Sequence, residues 1–89
     1  MSQYRVPSGV LRAELDGQEV LLNPSRGIYH LVNETGRAVL NRLEEGKTLK
    51  EVVDELSTTW EQPPAAVQAD AQVFVEALLE RGLLESAAR

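Results

Sequence analysis

The stretch Glu19-Val20-Leu21-Leu22-Asn23-Pro24-Ser25-Arg26-Gly27-Ile28-Tyr29-His30-Leu31-Val32-Asn33 decides the fold. Two runs of apolar, β-branched and aromatic residues flank a segment with proline early and glycine late, which is the chemistry of a tight turn. Residues 19–23 and Ile28–Val32 are therefore expected to be adjacent antiparallel strands, and Asn33 carries a side-chain oxygen suited to capping a helix. Upstream, residues 10–15 have strand-like apolar content, and Asp16-Gly17 follows, a hairpin signal because both residues tolerate positive φ. The expectation is a three-stranded meander with residues 19–23 in the centre and the other two strands at the edges.

Downstream the apolar period changes to a helical one. Residues 34–45 put Val39, Leu40 and Leu43 on one face, and Gly46 suits the stop. Thr48-Leu49-Lys50-Glu51 has the spacing of a capping box, and Leu49, Val52, Val53, Leu56 and Trp60 follow it at helical intervals. Pro63-Pro64 breaks that helix and sets up a third over residues 65–81, ended by Gly82. Leu83-Leu84-Glu85 is expected to leave as a short extended or helical tail, with residues 86–89 fraying. Strands first and helices second make an α+β class, here a winged-helix-like fold: a three-stranded antiparallel sheet followed by three helices, in one domain over residues 1–89.

Composition narrows the function. Apolar residues make up 43% of the 89-residue chain and charged residues 26%, ordinary values for one modest core. The chain has no cysteine, so disulfides, thiolate metal sites and a cysteine nucleophile are excluded. Its single histidine, His30, lacks the spacing to carboxylates or other histidines that a metal site needs, and it reads as a polar residue on the open face of the sheet. No serine lies in a nucleophile elbow and no glycine-rich loop is present, so no catalytic residue, metal or cofactor is expected. The pair Glu44-Glu45 reads as a solvated helix end. No apolar run approaches the roughly 20 residues that span a bilayer, and the start Met1-Ser2-Gln3-Tyr4-Arg5 leads into no signal-peptide core, which points to a cytoplasmic protein without a membrane role. A net charge of −5 disfavours nucleic acid as a partner.

Two features suggest peptide binding. Ile28–Val32, an expected edge strand, carries no Lys, Arg, Asp, Glu or Pro, the usual devices that blunt an edge. A helix of the same chain, a second copy, or a peptide added as a further strand must cover it. The third helix has an apolar stripe of Val67, Ala71, Phe74, Val75 and Leu78, which Ala66, Val73 and Ala77 widen on one flank and Leu79 on the other. The arc is roughly twice the ~100° that a surface helix needs. Either the helix is sandwiched inside the fold, or Val73 and Ala77 line a groove. Asp70 and Arg81 fall on the groove flank, as solvated charges or as readers of a charged guest.

The run Ile28-Tyr29-His30-Leu31-Val32-Asn33-Glu34-Thr35-Gly36, the series Leu40, Leu43, Glu45-Gly46, Thr48-Leu49, Val52-Val53 and Leu56, and the ending Phe74-Val75-Glu76-Ala77-Leu78-Leu79-Glu80-Arg81-Gly82-Leu83-Leu84 resemble PqqD-like proteins. The resemblance covers about residues 8 to 85. It implies a recognition element for ribosomally synthesised, post-translationally modified peptides, which binds a precursor's leader segment as an antiparallel strand between the third strand and the third helix. By that resemblance Ile28, Tyr29, His30, Leu31 and Val32 supply backbone pairing, Val73, Phe74 and Ala77 the apolar wall, and Asp70 a partner for a basic leader residue, with Arg81 on the same flank. The stand-alone form and acidic balance look most like the recognition subunit of a lasso-peptide leader peptidase. A separate cysteine protease is then the protein partner, and leaders typically offer a tyrosine-x-x-proline motif to an apolar pocket.

Three other readings compete. A PQQ-type chaperone would serve a radical-SAM enzyme. A winged-helix DNA-binding regulator needs a basic recognition helix, yet the second and third helices carry Glu51, Asp54, Glu55, Asp70, Glu76 and Glu80 against Lys50 and Arg81. A structural dimer would pair through the open edge; the expected state is a monomer or a weak dimer. Trp60 is a candidate for partner docking or a satellite core residue.

Overall fold

The computed structural model describes residues 3–87. Chain order is β1 (Tyr4–Arg5), β2 (Leu11–Leu15), β3 (Gln18–Asn23), β4 (Ile28–Val32), α1 (Glu34–Glu44), α2 (Leu49–Trp60), α3 (Pro64–Glu80) and β5 (Glu85–Ser86). The main sheet is antiparallel in the order β2-β3-β4, so the expected α+β arrangement and the central place of the second strand hold. Asp16 at φ 52° and Gly17 at φ 79° make the two-residue β2–β3 turn, the conformation that matches the right-handed twist of its strands.

The helix ends follow from local chemistry. Asn33 caps α1 by accepting from the Gly36 N–H at 2.7 Å. The Thr48–Glu51 box closes as expected, with the Glu51 carboxylate accepting from Thr48 N–H at 2.8 Å and Thr48 Oγ1 from Glu51 N–H at 3.2 Å. Pro64 opens α3 one residue before the expected start, because a first-turn N–H has no helical partner to lose. The helix ends at Glu80, one residue short of expectation, with Arg81 as cap.

The core joins Leu21 and Val32 of the sheet to Leu40 and Leu43 of α1, Val52 and Leu56 of α2, and Val75 and Leu78 of α3. Trp60 is half-buried against this core. Arg12 of β2 ties the sheet to α1: its guanidinium donates to Glu19 and Glu44, and to Asn41 at 2.9 Å, while Arg37 reaches Glu19 at 3.0 Å. Hydrogen bonding from Arg12 holds the Glu19 carboxyl below the usual carboxylate range, against the opposing effect of its burial. Glu44 is thus an anchor of the sheet on α1 rather than half of a solvated acid pair.

The C-terminal segment departs from expectation. Leu83 and Leu84 are 0% and 2% exposed, in the core, and β5 pairs with β1, Tyr4 opposite Ser86 and Arg5 opposite Glu85. Ala87 N–H donates to the Gln3 carbonyl at 2.8 Å, so Ser86 does not fray; Ala88 and Arg89 lie outside the described residues, as do Met1 and Ser2. Two residues per strand are too few to register as a strand pattern in sequence.

Candidate functional site

The β2–β3 hairpin fixes which groups of β4 are free. A two-residue turn makes Leu15 and Gln18 the hydrogen-bonded pair, so Gln18, Val20 and Leu22 turn their backbone groups to β2. Glu19, Leu21 and Asn23 turn theirs to β4, opposite Val32, His30 and Ile28. Tyr29 and Leu31 are left presenting N–H and C=O on the outer edge. An independent contact agrees: the Tyr29 carbonyl accepts from Arg81 Nη1 at 3.3 Å, a group of α3 that approaches from beyond the edge.

Side chains alternate accordingly. Tyr29 and Leu31 point to the outer sheet face, where they are 60% and 53% exposed beside Leu11 and Leu15. Ile28, His30 and Val32 point inward. His30 therefore does not stand on the open face of the sheet. Its ring meets Phe74 of α3 edge-on, centroids 6.1 Å apart at 67°. Both alternating sets of β4 contain apolar residues, so the strand alone does not choose its inner face; a polar ring there is acceptable because it lines a groove rather than a dry core.

That groove runs between the end of β4, the start of α1 and the flank of α3. Its volume is about 480 Å³, and its lining is His30, Asn33, Thr35, Gly36, Asp70, Val73, Phe74 and Ala77. Of the residues expected on the third helix, Asp70, Val73, Phe74 and Ala77 converge there, and Arg81 closes the Tyr29 end. Val73 is 68% exposed, so the helix is not sandwiched: its buried face is Val67, Ala71, Val75 and Leu78, and Val73 and Ala77 are surplus to the core. Phe74 is half-buried and serves both, packing on the core and flooring the groove. A neighbouring hollow of about 490 Å³ beyond Leu31 is lined by Glu14, Glu19, Glu34 and Arg37. Its Glu19 and Arg37 are paired with each other, whereas the groove keeps an apolar wall of Val73, Phe74 and Ala77.

Sequence reading passed over Gly36. A Cβ there would lie 2.7 Å from Phe74 Cε1 and 3.1 Å from its Cζ, so only glycine lets α1 approach the ring this closely. Gly36→Ala is expected to displace Phe74, setting an overpacking cost of about 1–3 kcal/mol against up to about 1 kcal/mol of helix propensity. In a Phe74→Leu background the clash is gone, and the same substitution should become neutral or stabilising. Urea unfolding of the four chains tests this; equal effects in both backgrounds would show that the contact does not govern the ring.

His30 has a pKa below its ordinary 6.5, chiefly from burial and then from the nearby Arg81 charge. The unfolded chain takes up the proton near pH 6.5 and the folded chain only at lower pH, so in between the unfolded chain binds more protons. Stability therefore falls as pH drops through that window. It is a separate loss from the one at more acid pH, where Glu19, Glu51 and Glu55, all held below their ordinary range, become protonated. Between about pH 7.5 and 5.5 the native chain should lose more thermal stability than His30→Gln. Identical slopes would show that His30 titrates as if unfolded.

Among the described residues no group of three or more His, Asp or Glu side chains is placed to hold a metal, and no helix is long and apolar enough to cross a membrane. The family model described as coenzyme PQQ synthesis protein D (PqqD) matches residues 18–84. No curated protein matches the chain. Two solved structures are similar over almost their whole length. One is a lasso peptide synthetase B1 complexed with the leader peptide, 25% identical, with a TM-score of 0.85 over 94% of this chain and 99% of that one. The other is TbiB1 in complex with the TbiA(beta) leader peptide, 30% identical, with a TM-score of 0.81 over 96% of this chain and 99% of that one.

Proposed function

The chain belongs to the PqqD family, and from that premise we propose that it binds the leader segment of a ribosomally made lasso-peptide precursor and presents it to the enzymes that process it. The leader adds to β4 as an antiparallel strand, taking backbone hydrogen bonds at Tyr29 and Leu31 and placing alternate side chains in the groove against α3. The observation that carries this reading is the coincidence of the two features: the unpaired edge of β4 faces the groove that α3 lines with more apolar surface than the core uses. Both solved structures similar to the chain contain a leader peptide, which supports a peptide as the partner here.

In this reading the whole chain is one recognition domain. It carries out no chemistry; its part is to raise the effective concentration of a tethered substrate at a separate cysteine protease, the leader peptidase, in the cytoplasm. It works as a monomer or a weak dimer. Binding is tested by fluorescence polarisation of labelled leader segments from lasso-peptide precursors, titrated with the full chain. Saturable binding in the micromolar range or tighter is expected; absence of binding across such leaders would overturn the proposal.

A second reading has its own support in the description of the matching family, coenzyme PQQ synthesis. The same edge and groove would then hold the peptide precursor of that coenzyme for a radical-SAM enzyme. Titration with both precursor classes separates the two, since the groove discriminates by side chain while the strand edge does not.

A further inference from the structure

Arg81 and Asp70 mark the two ends of the groove, and neither is neutralised by another described residue. Among the described residues Asp70 has no cation partner, and Arg81, like Arg26, has no carboxylate partner, whereas Arg5, Arg12, Arg37, Arg42, Lys47 and Lys50 all have one. Asp70 lies beside Asn33, Thr35 and Gly36, at the end of β4. The Arg81 guanidinium rests on the Tyr29 carbonyl, at its beginning. Asn23 fixes that end of α3 by donating to the Gly82 carbonyl at 3.3 Å. The helix therefore runs antiparallel to β4, with its anionic end at Asn33 and its cationic end at Tyr29.

From this the geometry points to a charge ruler: the chain selects leader segments in which a basic residue precedes an acidic one by four positions, Asp70 taking the base and Arg81 the acid. The inference rests on the proposed strand addition at β4. An antiparallel guest enters at Val32 and leaves at Ile28, so it passes Asp70 first and Arg81 second. Tyr29 and Asn33 are four strand positions apart, about 13 Å. Asp70 and Arg81 are eleven helix positions apart, about 16 Å. The two lengths correspond to about four and about five residues of extended guest. Only an even spacing directs the two side chains to the same face, toward α3, which selects four.

Arg81 has a further part. Its guanidinium sits on one of the backbone acceptors that the guest needs. A guest carboxylate at that register draws the guanidinium away, because a charged acceptor binds it more strongly than a carbonyl does. A guest without one must compete with Arg81 for the Tyr29 carbonyl. Arg81 is thus a specificity-determining residue, favouring acidic guests and opposing neutral ones at the same position.

The test selects random 14-residue peptides displayed on phage against the full chain and against an Asp70→Lys, Arg81→Glu double variant, whose folding is checked by circular dichroism. The native chain is expected to enrich peptides with Lys or Arg followed four residues later by Asp or Glu, and the double variant to enrich the opposite order. Enriched peptides without that pairing, or the native chain preferring acid before base, would overturn the ruler and leave peptide binding standing. Failure of the native chain to enrich any peptide would overturn the binding reading itself. Titration of the best peptide supplies a second readout. Replacing its acid by the amide should weaken binding to the native chain about tenfold. Arg81→Ala should bind the amide peptide more tightly than the native chain does; equal weakening of both peptides by Arg81→Ala would reduce Arg81 to a structural role.

Discussion

Ala77→Arg is expected to lose leader binding by about 30-fold or more while the chain stays folded. Ala77 lines the groove opposite His30 and beside Val73 and Phe74. It is not part of the core, whose α3 contribution is Val67, Ala71, Val75 and Leu78. An arginine there fills the space a guest side chain would occupy and sets a cation beside the apolar wall of Val73 and Phe74. Blocking a central contact of a peptide interface costs about 2 kcal/mol or more, hence the 30-fold. Arginine is a good helix former, so the melting temperature should move by no more than a few degrees. Ala77→Ser, which keeps the space open, should bind almost as the native chain does. Unchanged affinity in a folded Ala77→Arg chain would place the guest elsewhere.

Leu84→Ala is expected to have the opposite profile, a large loss of stability. Its side chain is 2% exposed and Leu83 is 0% exposed, although both follow the last helix. Leucine-to-alanine changes at such sites cost about 2–5 kcal/mol, from a total of about 5–15 kcal/mol for a domain. At roughly 4–8 °C per kcal/mol, the melting temperature should fall by at least about 8 °C. Leader affinity measured well below the new transition should be close to native, because Leu84 does not line the groove. A loss under about 1 kcal/mol would mean that the tail adds little to the core. Ser86→Ala, on the exposed β5 strand, should be almost without effect and serves as the control.

The sequence carried the main sheet and the three helices because each has a strong local signal: the Asp16-Gly17 turn, the Asn33 cap, the Thr48–Glu51 box and Pro63-Pro64. Boundaries moved by a residue, as they do where chemistry grades rather than switches. The tail was misread for a different reason. Leu83 and Leu84 lack a period, and their burial depends on β1 meeting β5 across nearly the whole chain, which no local window contains. At the site, the apolar surplus of α3 and the open edge of β4 were legible from residue type. Two things were not. His30 faces inward because the strand register, set by a turn a dozen residues away, decides its side of the sheet. Gly36 matters through one ring on another helix, 38 positions away, and no local pattern of residues carries that approach.

The central claim is that a leader pairs with the outer edge of β4, and amide hydrogen exchange of single residues with and without bound leader tests it most directly. In the free chain His30 N–H is paired with Leu21 and should be protected, while Tyr29 and Leu31 N–H face outward and should exchange freely. Saturation with leader should protect Tyr29 and Leu31 and leave His30 unchanged. If both amides still exchange freely at saturation, or if protection arises instead at Arg12 and Glu14 on the opposite edge of the sheet, the leader is not held as a strand beside β4.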